Sequence, residues 1–174
     1  KSTVVNLIPR FYDATEGQVL VDGVDVREYD QRSLRNKIGY VSQKATLFTG
    51  TIASNVAYGD NGEAPPSPAD VQAAVATAQA EDFVSHKQRL SIARAIARKP
   101  EIFLFDDAFS ALDYKTDRVL RSALDQTCQN TTRIIVAQRI GTIRDADQII
   151  VLDDGQIAGI GKHQDLMQTC GVYQ

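Results

Sequence analysis

Residues 102–107 read IFLFDD, an apolar run that ends in two adjacent carboxylates. A run without alternation between polar and apolar positions is typical of a strand that is buried on both faces. The sequence predicts this strand at 101–105, and comparable strands at 38–43, 132–137 and 147–152. Segments that predict helices separate these strands, so we expect an α/β fold with a mainly parallel sheet flanked by helices.

The composition indicates one ordinary globular domain. With 174 residues, of which 43% are hydrophobic and 24% charged, the chain is long enough to bury a substantial core. Its formal charge of -3 provides no general attraction to nucleic acid, and no apolar stretch approaches the ~18 residues of a membrane span. Two distant cysteines predict no disulfide framework, which favours a reducing cytosol. The chain begins with KSTVV and without Met, so we expect a fragment of something longer.

The first three residues match the end of a phosphate-binding loop, G-x-x-x-x-G-K-[ST]. Lys1, Ser2 and Thr3 introduce a segment whose apolar spacing predicts a helix from Ser2 to about Tyr12. In such a loop the backbone N–H groups bind phosphate, the lysine reaches the terminal phosphates, and the serine hydroxyl binds Mg²⁺. The glycines of the motif are absent, and a bare Lys-Ser-Thr also occurs by chance.

An apolar strand that ends in aspartate is the second element of a P-loop nucleotidase. Asp106 would then hold Mg²⁺, an ion that usually keeps several waters and takes only one or two protein carboxylates. The alternative is that Asp106 and Asp107 cap the next helix, as aspartates commonly do. The two aspartates by themselves leave both interpretations open.

Further motifs follow in an ordered series. They are YVSQ at 40–43, SALD at 110–113, IIVAQRI at 134–140, LFTGTIASNVAYG at 47–59 and ADQIIVLDDGQIAGIGKHQDLM at 146–167. Together with KST and FLFDD they make the chain resemble, almost from end to end, the nucleotide-binding domain of an ABC transporter. The last two segments are similar to the exporter branch. The resemblance implies a P-loop NTPase (RecA-like) core, with ATP and Mg²⁺ as cofactors.

The resemblance also implies a role for each motif: KST resembles the end of Walker A, YVSQ the Q-loop, FLFDD Walker B, SALD the D-loop and AQR the switch. The residues expected to bind the ATP phosphates are Lys1, Ser2, Thr3, Gln43 and Gln138. Those expected to hold Mg²⁺ are Ser2, Gln43 and Asp106, and those expected to act in hydrolysis are Asp107, Gln138 and Gln43. The D-loop residues expected to contact a partner domain are Ser110, Ala111, Leu112 and Asp113, the last of which also suits a helix N-cap.

Two residues of the implied site depart from the family pattern. The family usually has Glu after the Walker B Asp and His in the switch, whereas this chain has Asp107 and Gln138. One methylene less withdraws the carboxylate by on the order of 1 Å, and such a misplacement can cost ~10²-fold in rate. Gln carries no charge, and charge-assisted hydrogen bonds are roughly twice as strong as neutral ones. The pattern resembles the degenerate half of a heterodimeric, multidrug-type ABC exporter.

A third departure is internal. The signature motif L-S-G-G-Q should precede QRLSIARA, but EDFVS runs almost directly into HKQRLS. We therefore expect the signature segment to be missing near 85–86, either because it is deleted from the protein or because it is omitted from this sequence. If it is omitted, some neighbouring Cα atoms between Phe83 and Lys87 should lie much farther apart than ~3.80 Å.

The predicted organisation is a single ATP-binding domain over 1–174. Its RecA-like core comprises 1–43 and 100–174, and a shortened helical subdomain occupies about 44–99. The basic residues of RLSIARAIARK, at 89–99, are predicted to form a solvated face and not a nucleic-acid patch.

The implied function is to couple ATP binding and hydrolysis to export across a membrane, with a catalytically weak site. Expected partners are a transmembrane domain, upstream in the same polypeptide, and a second, non-identical nucleotide-binding domain. Nucleic acid is not expected, and the implied location is the cytoplasmic face of the cell membrane. One alternative is a regulatory ATP-binding module without turnover. Another is a non-transport ABC ATPase acting on DNA, against which the exporter-like LFTGTIASNV and the lack of a long coiled-coil insertion argue.

Overall fold

The computed structural model describes residues 1–59, 61–80 and 87–174. In chain order, the helices are α1 (Ser2–Asn6), α2 (Gln31–Asn36), α3 (Ile52–Val56), α4 (Pro68–Thr77), α5 (Lys87–Ala97), α6 (Tyr114–Thr127), α7 (Ile140–Ile143) and α8 (His163–Thr169). The strands are β1 (Leu20–Val21), β2 (Val24–Asp25), β3 (Ile38–Val41), β4 (Ile102–Asp106), β5 (Thr132–Val136), β6 (Ile149–Asp153) and β7 (Gln156–Gly161). Within these three ranges, none of the helices combines the length and the hydropathy that a bilayer span requires.

A parallel three-stranded sheet in the order β3–β4–β5 forms the centre of the fold. Successive side chains of β4 face opposite sides of the sheet. Phe103 and Phe105 pack with residues of α4, α5 and α6, whereas Leu104 packs with residues of α1 and α2. Both faces of β4 are therefore covered, which explains its uninterrupted apolar sequence. The predicted α/β fold with a parallel sheet flanked by helices is confirmed.

The strand predicted at 147–152 lies outside this parallel sheet. It is observed as β6, which pairs antiparallel with β7, a strand that was not predicted. Asp154 and Gly155 connect the two strands, with φ of 42° and 76°. Consecutive positive φ values match the right-handed twist of a tight hairpin, and Asp-Gly adopts them readily.

The first helix is shorter than predicted. It ends at Asn6 and is followed by turns, whereas the apolar spacing predicted a helix to about Tyr12. Pro9 is the physical reason, because it lacks a backbone N–H and disfavours the helical conformation of the residue before it.

The segment between β3 and β4 contributes α3, α4 and α5. Helix α5 packs against α4 and β3, and its buried Ile92 and Ala93 belong to the same apolar cluster as Phe103 and Phe105. The helices thus share a core with the sheet, and the division into core and helical subdomain stays a prediction. The expected loss of the signature segment near 85–86, and the predicted spacing of Cα atoms there, lie outside the described residues.

The prediction that the basic residues of α5 form a solvated face is wrong for two arginines. Arg94 donates through Nε to the Asn55 carbonyl at 2.7 Å, and its guanidinium lies 5.1 Å from the ring centroid of Phe48. Arg89 donates through Nη1 to the carbonyl of Gln79 at 2.7 Å. Arginine can bury its stem and still satisfy its planar group with carbonyls, so a basic helix face need not face solvent.

Candidate functional site

The candidate site lies at the carboxyl edge of the parallel sheet. Gln43 follows β3 by two residues, Asp106 ends β4 with Asp107 directly after it, and Gln138 follows β5 by two residues. Because the carboxyl ends of parallel strands meet at one edge, ligands of such sheets bind there. This topology brings together four residues from three widely separated segments of the sequence.

Asp106 is held from two sides. The Ser2 hydroxyl donates to its Oδ1 at 2.7 Å, and the Tyr40 hydroxyl lies 3.3 Å from its Oδ2. Asp106 is buried, with 8% of the residue surface exposed. A hydroxyl and a carboxylate oxygen are ligands that Mg²⁺ prefers, and an ion that keeps most of its waters needs few others. The chemistry of these two predicted ligands therefore fits Mg²⁺.

Asp107 has a different set of partners. Its Oδ2 accepts from Nε2 of Gln43 at 3.0 Å and from Nε2 of Gln138 at 2.9 Å. The side chain diverges from that of Asp106 because Asp107 leaves the strand in the left-handed conformation, with φ of 53°. The three residues predicted to act in hydrolysis therefore form one cluster. Gln43 uses its amide nitrogen on Asp107, which leaves its amide oxygen for the metal role predicted for it.

The alternative that these aspartates merely cap the next helix is wrong. Helix α6 is capped by Asp113, whose side chain accepts from the backbone N–H of Thr116 at 3.0 Å. The predicted N-cap role of Asp113 is thus confirmed. The side chains of Asp106 and Asp107 instead contact Ser2, Gln43 and Gln138 at the sheet edge.

Lys1 and Thr3 stand beside this cluster. The Lys1 ammonium lies 3.4 Å from the carbonyl oxygen of Ala137, next to Gln138, and retains further donors because an ammonium has three. Thr3 is exposed on α1. The Lys1 ammonium therefore lies next to the cluster, and the roles of Lys1 and Thr3 in binding phosphate stay predictions.

The predicted D-loop forms the turn between β4 and α6. The Ser110 hydroxyl donates to the carbonyl of Asp107 at 2.7 Å, so the loop is tied directly to the site. Leu112 is buried in the chain's own core, whereas Ala111 and Asp113 are exposed. If this loop meets a partner domain, Ala111 and Asp113 are the side chains on its surface.

Tyr40 is a residue of this site that the sequence did not predict. Its hydroxyl lies 3.0 Å from Oδ1 of Asn6 as well as 3.3 Å from Asp106, so it joins α1 to β4. Burial, followed by the negative charge of Asp106, raises the pKa of Tyr40 to about 12. The one available signal was a tyrosine late in a buried strand, because a buried hydroxyl usually finds a polar partner.

The raised pKa of Tyr40 predicts a late ionisation. A raised folded-state value means that the folded chain keeps this proton when the unfolded chain loses it, so the stability contributed is present below pH ~10 and lost toward pH 12. The phenolate absorbance of the native protein and of Tyr40→Phe is measured against pH. We expect the difference between the two, which belongs to Tyr40, to develop near pH 12. A component lost in Tyr40→Phe that instead develops near pH 10, the ordinary range of tyrosine, would contradict the burial of Tyr40 and its contact with Asp106.

Comparison with known families decides the assignment. The sequence model of the family described as "ABC transporter" matches residues 1–110, which contain Lys1, Ser2, Gln43 and both aspartates. The chain belongs to the ABC transporter family. The resemblance inferred from the motifs is thereby confirmed.

Individual ABC transporter proteins are similar over nearly the whole chain. An uncharacterised ABC transporter ATP-binding protein of Mycobacterium tuberculosis is 43% identical, over 99% of this chain and 33% of its own length. An ATP-dependent lipid A-core flippase of Pseudomonas savastanoi is 40% identical, over 99% of this chain and 32% of its own length. The chain therefore spans about a third of the curated relatives it matches.

A solved ABC exporter has the same fold. The structure of a bacterial Atm1-family ABC exporter with ATP bound superimposes with a TM-score of 0.91 at 39% identity, covering 99% of this chain and 33% of that one. The chain is thus an ATP-binding domain homologous to those of ABC exporters. With the mycobacterial relative the alignment extends over 191 positions, although the chain has 174 residues, so at least 17 positions of that relative have no counterpart here.

Proposed function

We propose that this chain binds Mg-ATP at the edge of its parallel sheet and serves as the weakly hydrolytic ATP-binding domain of an exporter. The observation that carries the proposal is the contact of the Ser2 hydroxyl with the Asp106 carboxylate, 2.7 Å long and 104 residues apart in sequence. It brings together the end of a phosphate-binding loop and the strand-end carboxylate, which is the combination that nucleotide-binding P-loop proteins use for Mg²⁺.

The chain's own residues divide the work of binding. Lys1 supplies a positive charge to the terminal phosphates, and Ser2 and Asp106 would hold Mg²⁺. When bound, the ion neutralises charge on the phosphate oxygens. Tyr40 fixes the second oxygen of Asp106, so the carboxylate is oriented before a ligand arrives.

A second set of residues faces the reacting phosphate. Asp107 is the candidate to accept the proton of the attacking water, and Gln43 and Gln138 orient its carboxylate from two sides. Each amide nitrogen carries two hydrogens and uses one on Asp107, so each retains a donor for phosphate. Gln138 can therefore bind a phosphate oxygen while it still holds Asp107.

Slow hydrolysis follows from the same contacts. Asp107 is one methylene shorter than glutamate, and two amides hold its carboxylate near the sheet edge, so we propose that it stops short of the distance that a general base requires. Gln138 is neutral and brings no positive charge to the transition state. Binding depends on other residues, so we expect affinity for ATP to be retained.

The larger assembly is proposed from the exporter homology. We expect a transmembrane domain, upstream in the same polypeptide, and a second, non-identical nucleotide-binding domain that meets Ala111 and Asp113. This arrangement places the domain at the cytoplasmic face of the cell membrane, where ATP binding would drive export. Nucleic acid has no part in the proposal. If Asp107 and Gln138 slow hydrolysis to nothing, the chain is an ATP-binding module without turnover.

The test separates binding from turnover. We expect the full chain to bind ATP more tightly with Mg²⁺ than with a chelator, because Ser2 and Asp106 contribute only through the ion. Hydrolysis with protein in excess over ATP should be slow relative to binding. Calorimetry gives the affinity, and phosphate release gives the rate. Equal affinity with and without Mg²⁺ would contradict the proposed metal site, and rapid hydrolysis would contradict the weak site.

A further inference from the structure

Arg139 reaches across from the end of β5 to the D-loop. Its Nη1 donates to the carbonyl of Leu112 and its Nη2 to the carbonyl of Ser110, both at 3.1 Å. One planar guanidinium therefore spans two carbonyls of the same turn. Such a fork needs the fixed geometry of arginine, because a lysine ammonium acts as a point charge and cannot reproduce the paired donors.

These contacts close a ring around the short carboxylate. Gln138, the residue before Arg139, donates to the side chain of Asp107 at 2.9 Å. Ser110, whose carbonyl Arg139 holds, donates through its hydroxyl to the backbone carbonyl of Asp107 at 2.7 Å. The switch segment and the D-loop are thus joined to each other and to Asp107 at the same time.

The C-terminal end of the D-loop has further anchors besides Arg139. Leu112 is buried in the core, and Asp113 caps α6, where its Oδ2 also accepts from the Thr116 hydroxyl at 2.6 Å. Arg89 of α5 donates to the same hydroxyl at 2.9 Å. With this end anchored, the contacts of Arg139 and Gln138 provide a route from the switch segment to Ser110 and Ala111.

We infer that Arg139 is a positioning residue that couples Gln138 to the D-loop, so that engagement of Gln138 by nucleotide moves the surface offered by Ala111. The inference rests on the proposed function, because it takes ATP as the ligand that engages Gln138. Arg139 touches neither Asp107 nor the predicted metal ligands, and it acts through the two carbonyls that it holds.

Amide hydrogen exchange reads this coupling directly. The N–H groups of Ser110 and Leu112 bond to the carbonyls of Asp107 and Phe109, so their exchange reports on the D-loop. In the full chain, Arg139→Lys should accelerate their exchange about tenfold, because two bonds to a charged group are lost. Mg-ATP should change their exchange in the unmodified chain and no longer do so in Arg139→Lys. ATP affinity should be unchanged, while single-turnover hydrolysis falls.

Arg133→Lys is the matched control, because Arg133 lies on β5, the strand that precedes Arg139, and pairs with Asp125 instead of the D-loop. It should alter neither the exchange of the D-loop nor its response to ATP. An ATP response that persists in Arg139→Lys would overturn the inference. Absence of ATP binding in the unmodified chain would instead overturn the proposed function. The amide exchange of the D-loop in Arg139→Lys and Arg133→Lys, compared without nucleotide, would then still decide whether Arg139 holds the loop.

Discussion

Asp106→Asn should weaken the binding of Mg-ATP about 100-fold, because it removes the only carboxylate predicted to hold the ion. Asparagine has the same shape and can still accept from the Ser2 hydroxyl, so the fold and the position of Ser2 are preserved. The affinity for ATP measured with a chelator should change little. Calorimetric titrations with and without Mg²⁺ give the two affinities for each variant.

Asp125→Asn is the control for this experiment, because it removes one carboxylate from an exposed position away from the site. It should leave both affinities unchanged. An equal loss with and without Mg²⁺ in Asp106→Asn would show that Asp106 supports the site structurally and does not hold the ion. The thermal stability of each variant, measured in parallel, separates that outcome from a general loss of folding.

The parts of the fold that the sequence predicts are those set by long apolar patterns. β4 was predicted because both of its faces are buried, which leaves no polar position between Ile102 and Phe105. Helix α7 was missed because four residues are too few for a helical period. Strand β7 was missed because it is mostly exposed and contains two glycines, so it lacks the pattern of a buried strand.

The candidate site was predicted from its motifs, but its internal contacts were not. The sequence does not show which side chains form contacts when they lie 104 residues apart, as Ser2 and Asp106 do. Tyr40 and Arg139 were missed for the same reason, since each acts on atoms far along the chain. Arg139 moreover binds backbone carbonyls, and such partners leave no trace in the residue types of the D-loop.

The arginines of α5 show how tertiary contacts can bury residues that are usually exposed. Arginine is usually exposed, so a basic helix predicts a solvated face. Arg94 instead meets the carbonyl of Asn55 and the ring of Phe48, and Arg89 meets Gln79 and Thr116. These partners lie on or next to α3, α4 and α6, whose arrangement around α5 is a property of the folded chain and not of the helix sequence.

Asp107→Glu should raise the single-turnover rate of ATP hydrolysis about 100-fold, or about 2.7 kcal/mol of barrier, because one methylene carries the carboxylate forward by on the order of 1 Å. The amides of Gln43 and Gln138 can follow the carboxylate, since both approach it with long, flexible side chains. ATP affinity should stay the same, because Ser2 and Asp106 are untouched. Phosphate release with protein in excess over ATP measures the rate.

Two companion variants define the origin of the change. Asp107→Asn keeps the length but removes the base, so it should abolish the remaining hydrolysis and leave binding intact. Asp107→Glu with Gln138→His restores charge at the switch and should exceed the single variant, since charge-assisted bonds are roughly twice as strong. Asp107 sits at φ 53°, a conformation that aspartate tolerates better than most residues, so Asp107→Glu should also unfold at a slightly lower temperature. A rate that does not rise even in the double variant would show that the length of Asp107 and the neutrality of Gln138 are not what limits turnover.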